Sequence, residues 1–395
     1  MAAALSGVKI VCVGQFYLAP YASMILARMG AEVIKVEALT GDPYRRGTRP
    51  GEEEISVQFG MINSGKRSLA LDLRHPEGQE ILRKLVLQAD VLVQNLSPGG
   101  MDRLGLGYED LAQINPRLIM ASGSGFGSSG PLAGKPAMDL TIQARTALMT
   151  TTGFPENPPV RTGPSIVDFM GGIHLAAGIL GALYQREHTG RGQHVEVSLQ
   201  DAIMPSLSSN IAGMVSSGGT MPERTGNRHG GLAVVPYNAF PAKDGWVTLL
   251  CPTQPHWERL CDIMGRPDLK ETYPTMRVRC ENYEEVDAIV GAWTAGYTRE
   301  EIAEMTEPAK IPTAPVVTLP ELIADEHTKA RGVLRWEKDD DGDFLTWGSP
   351  IFMSDSPVED PPRTRPLGAD TDEILTLLGF TDEQIAALHA QKTVG

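Results

Sequence analysis

The chain has 395 residues, 42% of them hydrophobic, which is ample for a packed core and by length suggests two or three domains. A net charge of −14 argues against a nucleic-acid surface as the main partner. Cys12, Cys251, Cys261 and Cys280 match neither a zinc nor a redox spacing, so a reducing, cytoplasmic setting fits and no metal site is expected. The N-terminus carries no signal-like pattern. The longest apolar run, Ile173–Tyr184, is shorter than the about 20 residues that a bilayer needs, so no membrane span is expected.

In chain order, Val8–Val13 reads as an apolar strand, Pro20–Met29 as a helix closed by Gly30, and Glu32–Glu37 as an alternating strand. This βαβ pattern repeats: Pro76–Gln88 is a helix, Val91–Gln94 a strand, Tyr108–Ile114 a helix and Arg117–Ser122 a strand. The expectation is a doubly wound, Rossmann-like parallel sheet in a large α/β domain over residues 1–204. Glycines crowd 218–231, so 205–231 reads as linker and glycine-rich loop. A smaller α+β domain, 232–325, follows. It holds a hairpin of Tyr237–Phe240 with Trp246–Leu250 and helices at His256–Met264, Tyr283–Ala295 and Arg299–Met305, the last opened by a Thr298/Glu301 capping box. Residues 326–395 read as a linker and a returning C-terminal segment. They contain a hairpin of Val333–Lys338 with Phe344–Trp347 and two terminal helices, Thr371–Leu378 and Asp382–His389, the second with a Thr381/Gln384 capping box.

The chemistry centres on 163–199. Ile173–Tyr184 reads as a buried helix ending near Gly190, and Asp168 falls where it begins, as an N-cap whose charge the helix dipole favours. Gly171 and Gly172 lie one turn further on. Each costs about 1 kcal/mol relative to Ala, and together they leave room for another molecule to approach the carboxylate. His174 reads as a core histidine. Arg45, Arg46, Arg49, Lys66, Arg67, Arg74, Arg103 and Lys135 crowd the first third, a cluster that suits an anionic small molecule. Gly60 to Lys66 lacks the Ser or Thr of a phosphate loop, Gly125-x-Gly127-x-x-Gly130 leads into Pro131 rather than a long helix, and no nucleophile elbow is present.

Several stretches together resemble the family III CoA-transferases, the group that includes formyl-CoA and carnitine CoA-transferases, with 2-methylacyl-CoA racemases as relatives. They are Leu5-Ser-Gly-Val, Met29-Gly-Ala-Glu-Val-Ile-Lys-Val-Glu37, Asn63-Ser-Gly-Lys-Arg-Ser68, Leu71-Asp-Leu-Arg74, Asp102-Arg-Leu-Gly105, Asn115-Pro-Arg117, Thr189-Gly-Arg-Gly-Gln193 and Gln200-Asp-Ala202.

The resemblance implies a CoA-transferase in which ionised Asp168 attacks an acyl-CoA thioester, passing through anhydride and aspartyl-CoA thioester intermediates. It places Arg74 and Arg103 at the CoA phosphates, Asn95 at the nucleotide, and Ala137, Met138 and Asp139 along the pantetheine, with Lys135 in the basic set. Gln15 and Tyr17 of the first loop would face the acceptor acid, and His229, Gly230 and Gly231 would belong to the loop that covers the reaction centre. CoA enters as the acyl-CoA substrate, a small carboxylic acid is the second partner, and an interlocked homodimer is implied.

This chain departs from the family pattern at Ala38, where some members have Arg, and at Tyr17, where formyl-CoA transferases have Gln. Two readings stand beside transfer. A 2-methylacyl-CoA racemase would need a base at Met138, and a non-catalytic CoA-binding subunit of a heteromeric transferase would not need Asp168.

Overall fold

The computed structural model describes residues 2–47, 54–356 and 361–395 and divides into two compact units. The first comprises Met1–Ile142, Ser165–Ile203 and Ile323–Gly395, and the second comprises Gln143–Pro164 and Met204–Leu322.

The first unit is built on six parallel strands: β1 (Lys9–Cys12), β2 (Glu32–Glu37), β3 (Arg67–Ala70), β4 (Val91–Gln94), β5 (Ile119–Ser124) and β6 (His194–Ser198). Their spatial order is 3-2-1-4-5-6, which is the doubly wound arrangement. Ile10 pairs with Val33 on one side and with Val91 on the other, so the strand order reverses at β1/β4. Ligands of open α/β sheets bind beyond the carboxyl ends of the strands at such a reversal. Ile10, Val11, Leu92 and Val93 are all but fully buried, as expected of strands covered by helices on both faces.

The intervening helices are α1 (Leu18–Arg28), α2 (Val57–Asn63), α3 (Pro76–Gln88), α4 (Tyr108–Ile114), α5 (Asp139–Arg145), whose last residues are counted in the second unit, and α7 (Ile166–Thr189); a single turn, α6 (Leu148–Thr151), belongs to the second unit. The terminal helices Thr371–Leu377 and Asp382–Ala390 add Ile374, Leu375, Ile385 and Leu388 to the same core as α3. A hairpin, Leu334–Asp339 with Gly342–Trp347, is tied to it by an Arg28 Nε bond to the Trp347 carbonyl (2.9 Å) and a hydroxyl pair, Ser64 with Thr346 (2.7 Å).

Several expectations need correction. β3 and α2 have no counterpart in the sequence reading. β3 is too short and too buried to alternate, and α2 starts on a Ser56 cap whose Oγ accepts the Phe59 amide (3.1 Å). Gly60 therefore lies inside a helix, which removes the phosphate-loop geometry. α7 begins two residues before Asp168 and ends, as expected, with Gly190, in the left-handed conformation (φ 71°), but it leaves Ile173, His174 and Tyr184 exposed, so His174 is not a core histidine. By length and composition α7 could cross a membrane, yet here it packs against α1, β5 and β6 with Val167, Leu175 and Ile179 fully buried.

The second unit carries a three-stranded antiparallel sheet, Tyr237–Ala242, Gly245–Leu250 and Thr313–Pro315, covered by Gln254–Ile263, Tyr283–Thr294 and Arg299–Thr306. Its core is Trp257, Leu260, Val286, Val290 and Ile302. Both capping boxes, at Thr298 and Thr381, form with the reciprocal bonds their spacing predicts. The stretch 205–231 is not all linker, because Ser208–Ser216 is helical. Its apolar stripe, Ile211, Met214 and Val215, is only one turn long and stands next to the glycines at 218 and 219.

Candidate active site

A cavity of about 480 Å³ opens at the carboxyl end of the first unit's sheet, where β1 and β4 diverge. The loop after β1 contributes Gln15, the loop after β4 Asn95 and Ser97, the loop before α5 Lys135, Ala137 and Met138, and the start of α7 contributes Asp168. Gly125 lets the loop before α5 close down, since a Cβ there would lie 2.2 Å from that of Ala137. Gly125 therefore serves close packing, whereas Gly127 and Gly130 take positive φ (82° and 86°).

Asp168 sits in the first turn of α7 but is not its cap. That role falls to Asp139 at the start of α5, whose Oδ2 accepts the Val167 amide at 2.9 Å and the Asp168 amide at 3.2 Å. Asp168 is held ionised less firmly than its place at a helix N-terminus alone would imply. Burial, and then the neighbouring Asp139 carboxylate, push its pKa up from 3.8 to about 7. The helix dipole works in the opposite direction but is worth at most about 2 kcal/mol.

Gly171 and Gly172 also differ from expectation. A Cβ on Gly171 would lie 2.6 Å from Leu199 Cδ2, and one on Gly172 would lie 2.9 Å from Tyr21 Cδ1 and 3.0 Å from the Leu18 carbonyl. The pair lets α1 press against α7 and does not open space for a ligand.

Aromatic rings wall one side of Asp168. Tyr17 lies 5.1 Å from Phe169 and 5.2 Å from Tyr44, and Tyr21 lies 4.7 Å from Phe169. Burial, then Tyr44 and Asp168, push the Tyr17 phenol up to about 12, so it stays protonated. Asn95 clamps the first loop from both sides, accepting from the Gln15 amide (2.8 Å) and donating to its carbonyl (2.9 Å).

The structure thus gathers Gln15, Asn95, Lys135, Ala137, Met138 and Asp168 in one cavity, with Tyr17 beside Asp168 and Asp139 beneath it. Arg103 reaches the cavity wall through Ser97 Oγ (3.3 Å) and the Pro98 carbonyl (3.2 Å). Arg74 is not brought there. It is exposed and salt-bridged to Asp72 at 3.0 Å.

Most of the basic cluster disperses. Arg45 pairs with Glu37, Arg67 with Glu373, and Lys66 is buried against the Pro20 carbonyl and Asn63 Oδ1, where desolvation lowers its pKa to about 7. Arg46 is exposed, and Arg49 lies outside the described residues.

His229, Gly230 and Gly231 belong to the second unit. There His229 Nδ1 accepts the amides of Gly231 (3.2 Å) and Ala233 (3.3 Å), and a Cβ on Gly230 would meet the Asn210 side chain at 2.8 Å. Tyr21, Tyr44 and Phe169 were missed by sequence reasoning, because aromatic residues in a loop and two helices read as ordinary core.

Residues 5–371 match the family model described as CoA-transferase family III. Among curated proteins, the formyl-CoA:oxalate CoA-transferase of Streptomyces coelicolor is 33% identical, with all of both chains covered. That of Rhodopseudomonas palustris (strain HaA2) is 36% identical over 98% of this chain and 97% of its own. Among solved structures, a CaiB/BaiF family protein from Brucella suis superposes with a TM-score of 0.83 at 31% identity, covering 96% of this chain and 100% of that one. Rv3272 from Mycobacterium tuberculosis gives 0.82 at 26% identity, covering 94% and 99%. A doubly wound sheet of this order and a match spanning nearly the whole chain lead to one conclusion: the chain belongs to CoA-transferase family III and is an enzyme of that class.

Proposed function

We propose that this enzyme moves CoA from an acyl-CoA donor to a carboxylic acid through covalent intermediates on Asp168. The observation that carries the reading is the Asp168 carboxyl at the wall of the switch-point cavity, with a pKa near neutrality. The ionised carboxylate attacks the thioester carbonyl and CoA leaves as thiolate, giving a mixed anhydride. The thiolate then attacks the aspartyl carbonyl and expels the donor acid, leaving an aspartyl-CoA thioester. The acceptor carboxylate attacks that thioester, CoA leaves again, and its return to the new acyl carbonyl frees Asp168 and the product acyl-CoA. No water is consumed, so an apolar wall of Tyr17, Tyr21 and Phe169 that keeps water from the anhydride suits the chemistry.

In this reading Lys135 and Arg103 meet the CoA phosphates, Asn95 and Ala137 border its path, and Gln15 and Tyr17 face the acyl group. Arg74, exposed and paired with Asp72, does not line the cavity that holds Asp168. His229, Gly230 and Gly231, which the resemblance assigns to a covering loop, lie in the second unit. The names of the relatives make formyl-CoA and oxalate the first pair to assay, and Tyr17 in place of Gln argues for testing bulkier acids alongside. Racemisation needs a base on each face of the α-carbon; Met138 is none, and Asp139 Oδ2 is bound to two amides.

A homodimer fits the apolar side chains that each unit leaves exposed, among them Ile173 and Tyr184 on α7 and Ile211 and Val215 on Ser208–Ser216. Burial that pushes the Cys251 and Cys261 thiols up to about 12, leaving them inert, is consistent with a cytoplasmic enzyme. The deciding experiment incubates enzyme with acyl-CoA, traps with hydroxylamine or borohydride, and maps the modified peptide. The label is expected on Asp168, and a label confined to Asp139 would reassign the nucleophile.

A further inference from the structure

The loop from β1 into α1 is held in an unfavourable shape by a buried pair of charges that the reaction scheme does not use. Phe16 has φ 59°, in the left-handed region, where a non-glycine residue is strained. Lys35, on β2, is 2% exposed and donates to the Gly14 carbonyl at 2.7 Å and to Asp42 Oδ2 at 3.0 Å. The second Asp42 oxygen accepts the Tyr44 amide at 2.9 Å and faces the Phe16 amide at 3.5 Å. Asp42 is in turn fixed by its own amide to Glu37 Oε1 (2.9 Å), and Glu37 is held by Arg45.

From this anchor the contacts run toward the reaction centre. Tyr44 meets the Phe16 ring at 4.9 Å and the Tyr17 ring at 5.2 Å, and Tyr17 meets Phe169, the neighbour of Asp168. A buried ion pair is seldom more stabilising than well-packed apolar residues of the same volume. Its presence under a strained loop therefore points to a role other than stability.

We propose that the Lys35–Asp42 ion pair is a positioning device, acting through Gly14, Phe16 and Tyr44 to hold Tyr17 in place beside Asp168. The proposal rests on the reading of Asp168 as the nucleophile. Lys35 and Asp42 are positioning residues and touch no substrate. Tyr17, whose ring packs on Tyr44 and on Phe169 beside Asp168, is the group they deliver.

The test compares the full-length wild type with Lys35→Met/Asp42→Leu, which removes both charges without orphaning either, and with Asp42→Asn, which keeps an amide oxygen for the Tyr44 and Phe16 amides. Hydrogen exchange is read at the Gln15 and Phe16 amides, and kcat and KM are measured with one donor and acceptor pair. In the double variant the loop amides should exchange about tenfold faster while β2 keeps its protection. Its kcat should fall about 10²-fold with KM for acyl-CoA little changed, and Asp42→Asn should lose less.

An unchanged exchange rate in the loop, or a loosened loop with wild-type kcat, overturns the proposal. Should the double variant not fold, Phe16→Gly keeps the ion pair but removes the ring that Tyr44 packs on. Its kcat should also fall, and a wild-type value overturns the proposal. Absence of CoA transfer by the wild type with every acid tried would sink the functional reading instead, and loop exchange alone would then decide the positioning.

Discussion

Asp139 caps the helix that carries Asp168: one carboxylate oxygen takes the amides of Val167 and Asp168, at 2.9 and 3.2 Å. Two carboxyl groups are thus held close together, and one of them raises the pKa of the other.

This relationship fixes the acid side of the pH profile. Attack needs the ionised form of Asp168, so kcat/KM is expected to climb with pH and level off above about 7. Asp139→Asn keeps an oxygen for the two amides and removes the charge that raises Asp168. Its acid limb should move to lower pH; a limb that stays in place or moves up would mean that Asp139 does not act on Asp168 electrostatically.

The same shift has a stability sign. Between pH 4 and 7 the unfolded Asp168 is ionised while the folded one is still protonated, so stability falls as pH rises through that window and then stays reduced. Asp168→Asn removes the penalty. It should raise the melting temperature at pH 8, by the equivalent of about 2–4 kcal/mol, and do little at pH 4. Equal gains at both pH values would show that the carboxyl is not strained by ionisation.

Asp168→Ala should cost three orders of magnitude or more in CoA exchange, roughly what loss of a covalent nucleophile costs elsewhere. Near wild-type transfer in a folded Asp168→Ala protein would remove the central claim.

The CoA contacts divide the arginines. Arg103→Ala and Lys135→Ala should raise KM for acyl-CoA, each by about tenfold with kcat largely kept, whereas Arg74→Ala, away from the cavity, should change neither. A rise in KM for Arg74→Ala would put that residue back at the phosphates.

The glycine pair predicts a packing effect. Gly172→Ala forces a methyl against the Leu18 carbonyl and the Tyr21 ring, and should destabilise the protein by about 1–3 kcal/mol in denaturant melts. Because α1 and α7 carry Tyr17 and Asp168 at their N-terminal ends, activity should fall as well. Unchanged stability would mean the helices have room to separate.

Much of the fold was legible because local signals carried it. The alternation of strands and helices up to β5, the glycine that ends α7, and the Thr298 and Thr381 capping boxes depend on residues within a few positions of each other. β3 was not legible, because a short strand buried on both faces has no period. Of the site, Asp168, Asn95 and Ala137 could be placed by the family resemblance and Lys135 by the basic cluster, and all four line one cavity.

By itself the sequence determined the doubly wound core, the family and the identity of the carboxylate on which the chemistry is proposed to turn. Only the tertiary structure decided what surrounds that carboxylate. It made Asp139 the cap, turned Gly171 and Gly172 into a helix-packing seam, left Arg74 outside the cavity lined by Asp168, and tied Lys35 to Gly14 and Asp42. The reason is that burial and Coulomb coupling act between groups that are close in space, and Asp139 and Asp168 stand 29 residues apart in the chain.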